Sequence, residues 1–325
     1  MHQQKLPDTT FERLQELNLR WYNPLDTLID RMTQPMYRMS YYPWIVQHVE
    51  LGEIDRQIKI FGSLIKQELE RLGAPDPRVE ILPSLEVPEQ IKQIATGGAE
   101  IALMNPLGFV FARQGTGGAR SPLEAVAVAL RIIDGKVGKV YFSQLYTAKK
   151  TAIRTREQVA NRSIGYGLPY STSNFLVAAA RLLEVGVHPL TGVTRVEFLK
   201  GHEIVAKAVY EGKVDVGAGH DGVIADLANQ PGFGDAADVL VQIFRSKEIP
   251  SDPIVTNIPN DTERQKVQKA IVAAGNSDAG KSALFKFWGK VQGLAVTDSA
   301  SYATLDKDLT DLRLGAADLL PKPKP

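Results

Sequence analysis

The sequence FLKGHEIVAKAVYEGKVDVGAG, residues 198–219, predicts a helix between two strands. Its first residues end a strand that begins at residue 194, a helix follows at 202–212, and a second strand follows at 214–218. Repeated alternation of strand and helix is typical of sheets of parallel strands with helices on their faces. This stretch therefore predicts an α/β fold.

The same alternation extends over most of the chain. Apolar side chains spaced by three and four residues predict a helix over 53–72, and further elements follow it: strands at 78–82, 99–103, 124–131, 162–166 and 238–244, and helices at 87–96, 155–160, 172–185, 222–229, 261–273, 279–289 and 304–313. Two long extended segments, 138–149 and 238–256, are predicted to cross between two lobes. Lobe one is then discontinuous, 37–143 plus 250–325, lobe two is 144–249, and residues 1–36 form a helical extension.

Composition limits the classes of partner and of chemistry. The 325 residues suggest about two domains. With 38 Lys and Arg against 37 Asp and Glu, the net charge of +1 gives no reason to expect nucleic acid as a partner. The 0 cysteines exclude disulfides, thiolate metal sites and cysteine nucleophiles, and no histidine spacing indicates a metal site. We therefore expect neither a metal nor a cofactor.

The chain carries no predicted membrane or export segment. No apolar stretch approaches the roughly 18 residues that a membrane span requires. Residues 1–20 are polar and lack the apolar centre of a signal peptide. The expectation from the residues alone is a protein that stays in the cytoplasm, or one whose leader was removed before residue 1.

Two glycine motifs resemble nucleotide-binding loops. Gly275, Gly280, Lys281 and Ser282 match the phosphate loop G-x-x-x-x-G-K-S, but the residues before them have helical spacing where the mechanism requires a strand. We interpret this match as a turn between two helices, capped by Ser277 or Asp278.

The second motif, G-x-G-x-x-G, is formed by Gly217, Gly219 and Gly222. It does follow a strand, but it lies two-thirds through the chain, and Asp221 would place a negative charge against a pyrophosphate. We interpret it as a strand-to-helix turn that needs small residues. A nucleotide hydrolase or a dehydrogenase remains a distant alternative.

Three helix starts in the presumed second lobe contain side chains that could bind a ligand. Ser171, Thr172 and Ser173 stand where a helix offers free backbone N–H groups, which together with hydroxyls suit a phosphoryl group. His202 begins the next helix and can donate to an oxyanion. Asp221 begins a third, where it fits a hydrogen bond to a ligand proton or an ion pair with a ligand amine. For each, ordinary helix capping is the alternative interpretation.

Four stretches together resemble a known family: Y-F-S at 141–143, S-T-S-N at 171–174, GHEIVAKAVYEGKVDVGAG at 201–219, and I-P-S-D-P-I at 249–254. They are similar to the ABC-transporter substrate-binding proteins for phosphonate, phosphite and phosphate. The resemblance extends from about Tyr37 to Leu305. It implies a type II periplasmic-binding-protein fold of two α/β lobes joined by two crossing strands, a periplasmic or extracytoplasmic location, and no catalysis.

The resemblance also implies roles for particular residues. Ser171, Thr172, Ser173 and His202 would hold the phosphonyl oxygens, and Tyr141 would line the cleft wall. Asp221 and Asp252 match positions that hold the amine in members that bind aminoalkyl phosphonates. Lobe one would add Asn105 and the first-strand loop: Tyr42, Pro43 and Trp44.

Two features depart from the family pattern. Leu85, Glu86 and Val87 stand where many members have D-Y-A, and the N-terminal extension is unusual. The implied function is capture of a small phosphorus oxyanion for an ABC permease in the membrane. The alternative is a ligand-presenting partner of a membrane sensor kinase, which some members of the family are, and the resemblance leaves the particular oxyanion open.

Overall fold

A computed structural model describes residues 34–42, 49–115 and 122–321. Nearly all of the predicted helical extension, and Pro43 and Trp44 of the first-strand loop, lie outside these residues. The α-helices are α1 Leu51–Arg71, α2 Val87–Ala95, α3 Pro106–Gln114, α4 Val177–Leu183, α5 His202–Tyr210, α6 Val223–Ala228, α7 Ala236–Val239, α8 Asp261–Asn276, α9 Asp278–Phe287, α10 Ala303–Leu312 and α11 Ala316–Leu319. A π-helical turn, Thr172–Leu176, leads directly into α4, and short 3₁₀ turns lie at Glu157–Val159 and Ser299–Tyr302.

The strands form two sheets and a short ribbon. They are β1 Met36–Ser40, β2 Arg78–Ile81, β3 Ile101–Leu103, β4 Glu124–Ile133, β5 Lys136–Gly138, β6 Val140–Tyr141, β7 Ser143–Ala148, β8 Ser163–Tyr166, β9 Arg195–Phe198, β10 Val216–His220, β11 Leu240–Arg245, β12 Ile249–Pro250, β13 Pro253–Thr256 and β14 Gly293–Val296. Lobe one is built on a sheet of order β14-β4-β13-β3-β1-β2, with β5 paired to β4. Lobe two is built on a sheet of order β11-β7-β10-β8-β9.

The ribbon pairs the two segments that run between the lobes. Strand β6 is antiparallel to β12, with Tyr141 opposite Ile249 and Val140 opposite Pro250. Strand β4 in lobe one precedes this ribbon and β13 follows it, while β7 and β11 are its neighbours in lobe two. Two α/β lobes joined by two crossing segments are therefore present, which confirms the predicted fold class.

Both sheets are mixed, although the sequence predicts parallel strands. Strands β1, β2 and β3 are parallel, but β13 runs antiparallel to β3 and β4. In lobe two, β7 runs antiparallel to β10 and β11. The strands that carry the chain out of a lobe and back into it point in opposite directions, so adjacent exit and entry strands pair antiparallel. Strand β14, which the sequence analysis missed, adds an antiparallel edge beside β4.

Apolar helix faces fill the cores on either side of the sheets. Helix α1 buries the predicted face that includes Ile54, Ile58, Phe61 and Ile65. A separate apolar cluster joins the lobes, because α3, α4 and α10 contribute to it together. Arg181 of α4 forms an ion pair with Asp308 of α10. The C-terminal segment, assigned to lobe one on sequence, thus also packs against lobe two.

The G-x-x-x-x-G-K-S match is a turn between two helices, as predicted. Gly275 lies in α8 and Gly280 in α9, and Ser277 Oγ between them accepts from the N–H of Gly280 at 3.0 Å. A Cβ at Gly280 would lie 1.8 Å from the carbonyl oxygen of Ala274, and one at Gly275 would lie 2.4 Å from Leu294 Cδ1. Close packing therefore explains both glycines.

The G-x-G-x-x-G match also has a packing explanation. Gly217 and Gly219 lie on β10, where a Cβ would come within 2.6 Å of the Tyr146 ring and 2.8 Å of Val223, respectively. The small residues let Tyr146 and α6 approach the strand, which confirms the interpretation as a strand-to-helix turn.

Substitutions within the G-x-x-x-x-G-K-S match distinguish a role in packing from a role in nucleotide binding. We expect Gly280→Ala to lower the free energy of unfolding by about 1–3 kcal/mol through overpacking. Lys281→Ala, at an exposed side chain, should change it by no more than about 0.5 kcal/mol. Urea denaturation measures both. Binding of ATP that Lys281→Ala abolishes would contradict this interpretation.

Candidate functional site

A cleft of about 1190 Å³ lies between the lobes. Its lining includes all nine residues that the sequence analysis proposes as ligand contacts: Tyr42, Asn105, Tyr141, Ser171, Thr172, Ser173, His202, Asp221 and Asp252. The fold therefore brings together residues that are up to 210 positions apart in the chain, from Tyr42 to Asp252. Their contact with a ligand stays a prediction.

The Ser171–Thr172–Ser173 run begins a helix whose first turn is π-helical. The N–H of Leu176 bonds to the carbonyl of Ser171, five residues back, which leaves the N–H groups of Thr172, Ser173 and Phe175 ahead of the first helical bond. Ser171 Oγ caps the turn by accepting from the N–H of Asn174 at 3.4 Å. A π turn thus widens the set of free donors at the helix start.

A second helix start, from lobe one, meets the first across the cleft. Asn105 caps α3, because its Oδ1 accepts from the N–H of Gly108 at 2.6 Å. In the same turn, the N–H of Leu107 donates to Thr172 Oγ1 at 3.0 Å. Both groups are buried, so one hydrogen bond joins the positive ends of two helices that belong to different lobes.

Two tyrosines lie close to the ion pair between Asp252 and Arg131 in the cleft. Burial and the nearby Asp252 raise the pKa of Tyr141, while hydrogen bonding with Thr172 and Ser173 opposes the rise. Burial, and secondly Asp252, also raise the pKa of Tyr42. Both phenols are therefore neutral donors at pH 7. Asp252 itself is ion-paired with Arg131, with 2.7 Å between Oδ2 and Nη2.

His202 supplies a neutral donor. Its Nδ1 accepts from the backbone N–H of His220 at 3.2 Å, so the neutral ring carries its proton on Nε2. Burial, and secondly His220, lower the pKa of His202 well below its ordinary value of 6.5. The two imidazole rings are 4.7 Å apart between centroids. At pH 7 the site therefore contains an Nε2–H donor and no imidazolium at this position.

Asp221 is anchored on the crossing segment. Its N–H donates to the carbonyl of Phe142 at 3.0 Å, and its Oδ2 lies 3.4 Å from Arg245 Nη2. The Arg245 guanidinium stacks on the Phe142 ring at 3.8 Å and also pairs with Asp134 of lobe one at 2.8 Å. Arg245 therefore links the lobes at the edge of the cleft.

The chain belongs to a known family of transport proteins. The family described as "ABC transporter, phosphonate, periplasmic substrate-binding protein" matches residues 52–302, more than three-quarters of the chain. This chain is a member of that family. The family resemblance stated on sequence is confirmed.

Solved structures with low sequence identity share the fold. A binding protein component of an ABC phosphonate transporter from Pseudomonas aeruginosa is 20% identical, with a TM-score of 0.62, over 88% of this chain and 92% of its own. PhnD1 from Prochlorococcus marinus, in complex with methylphosphonate, is 17% identical, with a TM-score of 0.63, over 86% and 98%. A protein from Xanthomonas citri bound to ATP is 14% identical, with a TM-score of 0.66, over 86% and 98%. The type II periplasmic-binding fold is thereby confirmed.

Comparison with curated protein sequences finds no match. Within the described residues of this family member, no helix combines the length and hydropathy needed to cross a membrane.

Several residues that line the binding protein's cleft were missed on sequence. Arg131 lies near the end of β4, far along the chain from Asp252, and no local motif indicates that they pair. His220 precedes Asp221 within the G-x-G-x-x-G stretch, but no spacing among the histidines gives it a predicted role. Asn174 is the last letter of S-T-S-N; its Oδ1 accepts from the N–H of Gly167 at 2.7 Å and fixes the turn before the helix.

The bond between Thr172 and Leu107 is open to direct test in the ligand-free protein. Thr172→Val removes the acceptor and leaves a buried N–H unpaired, so the free energy of unfolding should fall by about 1–3 kcal/mol. Thr172→Ser keeps the hydroxyl and should retain most of the stability. Equal urea midpoints for the Val and Ser variants would show that this bond does not hold the lobes.

Proposed function

We propose that this protein captures a small phosphorus oxyanion, either phosphonate, phosphite or phosphate, by closure of its two lobes. It then delivers that ligand to the ABC permease in the membrane, on the extracytoplasmic side where the family acts. Family membership supports the transport role, and the arrangement of donors in the cleft supports the class of ligand.

The proposal rests on two helix starts, one from each lobe, that lie next to each other in the cleft. The π turn offers free N–H groups and the hydroxyls of residues 171–173 to the cleft, and α3, whose first N–H groups are bonded to Thr172 and Asn105, adds the positive end of its dipole. Helix N-termini favour anions because their N–H groups are unpaired and their dipole ends are positive. The tetrahedral oxygens of a phosphoryl group suit several such donors at once.

Neutral donors dominate the inner part of this site. His202 contributes an Nε2–H, and Tyr141 a phenol, both uncharged at pH 7. The lysines that line the cleft, Lys200, Lys286 and Lys290, have exposed side chains at its mouth. Selection by fixed neutral donors depends on their positions, so we expect affinity to respond sharply to ligand shape and only weakly to salt.

Contacts between the lobes favour the closure mechanism. Thr172 bonds to Leu107 inside the cleft, and Arg245 pairs with Asp134 at its edge. Both contacts join residues that a hinge at the β6–β12 ribbon would separate. An anion held by donors from both lobes adds to these contacts and shifts the population toward the closed state.

Calorimetry with phosphite, methylphosphonate and phosphate tests the proposal, with ATP and NAD as comparison ligands. At least one of the three oxyanions should bind with one-to-one stoichiometry, and at 100 times its Kd it should stabilise the fold by about 2.7 kcal/mol. If ATP or NAD bound while no phosphorus oxyanion did, the proposal would be wrong.

Variants of the donors locate the binding site. His202→Ala and Ser171→Ala should each weaken binding of the best oxyanion by about 5- to 150-fold, or about 1–3 kcal/mol, because a charged acceptor loses a hydrogen bond. His188→Ala is the matched control, since His188 is exposed and accepts only from its own turn. Unchanged affinity in both cleft variants would place the anion elsewhere.

A further inference from the structure

We infer that the cleft selects oxyanions whose substituent on phosphorus is small and uncharged, such as hydrogen, hydroxyl or alkyl, over those that bear an ammonium group. Arg131 is the specificity-determining residue, because it already occupies the carboxylate that an ammonium would need. This inference rests on the proposed function and names the ligand class within it.

Arg131 holds Asp252 in a fixed ion pair within the cleft. The pair measures 2.7 Å, and the side chains are 20% and 17% exposed. The other end of the guanidinium donates to the carbonyls of Trp288 and Gly289, so the arginine is held from three sides. A partly buried pair of this kind is lost only at the cost of leaving one charge unpaired.

The second inner carboxylate is paired in the same way. Asp221 is 14% exposed and lies 3.4 Å from Arg245, whose guanidinium is stacked on Phe142 and also bonded to Asp134. An ammonium approaching Asp221 would therefore compete with an arginine that already has two carboxylates and an aromatic face.

The other acids of the cleft have partners as well. Glu53 is paired with Arg56, Asp134 with Arg245, and Asp226 with Lys290 at 4.0 Å. Glu203 accepts a hydrogen bond from the side chain of Gln230. A ligand ammonium would lose its hydration without gaining an uncommitted carboxylate, which is unfavourable.

The lining of the cleft also suits an apolar substituent. Tyr42, Val87, Leu168 and Tyr170 line the same cleft, and their rings and methyl groups offer contact without charge. Burial keeps the pKa of Tyr42 well above its ordinary value, so this phenol stays neutral beside the ligand. Alkyl groups are stabilised by such surfaces, whereas a desolvated cation is not.

Two ligands of equal size isolate the effect of the charge. n-Propylphosphonate and 2-aminoethylphosphonate have the same number of heavy atoms and differ at the terminal group. Calorimetry at pH 7.5 on the wild-type chain should give at least tenfold tighter binding of the propyl ligand. Equal or tighter binding of the amino ligand would overturn the inference. If no phosphonate, phosphite or phosphate bound, the proposed function itself would be wrong.

Variants assign the preference to Arg131. Arg131→Met frees Asp252, so the ratio of the two affinities should move at least tenfold toward the amino ligand. Arg78→Met, at an exposed arginine on β2 of the same sheet, should leave the ratio unchanged. An unchanged ratio in a folded Arg131→Met protein would contradict the assignment.

A second variant keeps the test independent of whether Arg131→Met folds. Asp252→Asn removes the carboxylate but preserves its shape, and it should not weaken 2-aminoethylphosphonate relative to n-propylphosphonate. A selective loss of the amino ligand of tenfold or more would show that Asp252 holds the amine, and would overturn the inference.

Discussion

The hydrogen bond from the Leu107 N–H to Thr172 Oγ1 connects the parts of this molecule on which the proposed binding depends. It joins the start of a helix in lobe one to the start of a helix in lobe two, at the inner part of the cleft. The π turn carries unpaired N–H donors, whereas the first N–H groups of α3 are already bonded to Thr172 and Asn105. Like dipole ends repel unless an acceptor lies between them. In the ligand-free chain a hydroxyl oxygen is that acceptor, and an oxyanion is a stronger one.

The inner part of the cleft presents little free positive charge, because Arg131 and Arg245 are paired with acids and the lysines of the lining lie at its mouth. A lysine or arginine at the centre would bind many anions, whereas helix N–H groups, hydroxyls and a neutral imidazole bind through their positions. The two inner carboxylates are neutralised by Arg131 and Arg245 and so repel an anion less. Both arginines therefore neutralise carboxylates of the cleft. They lie on strands β4 and β11, which are next to the crossing segments.

Local signals in the sequence predict much of this arrangement. The apolar face of α1, the helix starts at Ser171 and His202, and the two crossing segments follow from patterns a few residues long. The same local signals identify the glycine motifs as turns, because adjacent residues predict the strand or helix on either side of them. All nine proposed contacts come from such local signals or from the family resemblance, and all nine line one cleft.

The features that the sequence does not predict depend on pairing between residues that are far apart in the chain. The Arg131–Asp252 pair spans 121 positions, and the direction of β13 relative to β4 depends on how the chain returns from lobe two. The π turn at Thr172–Leu176 is likewise invisible, since the same residues suit an ordinary α-helical start. Strand β14 was missed because GLAV is short and stands next to strong helices.

The position of a bound oxyanion tests the central claim most directly. A crystal structure of the protein with methylphosphonate, or with whichever oxyanion binds best, locates the phosphorus atom. We predict phosphonyl oxygens about 2.7–3.2 Å from backbone nitrogens of the Thr172–Phe175 turn and from His202 Nε2. A ligand held instead by the lysines at the mouth, with the π turn unoccupied, would contradict the account.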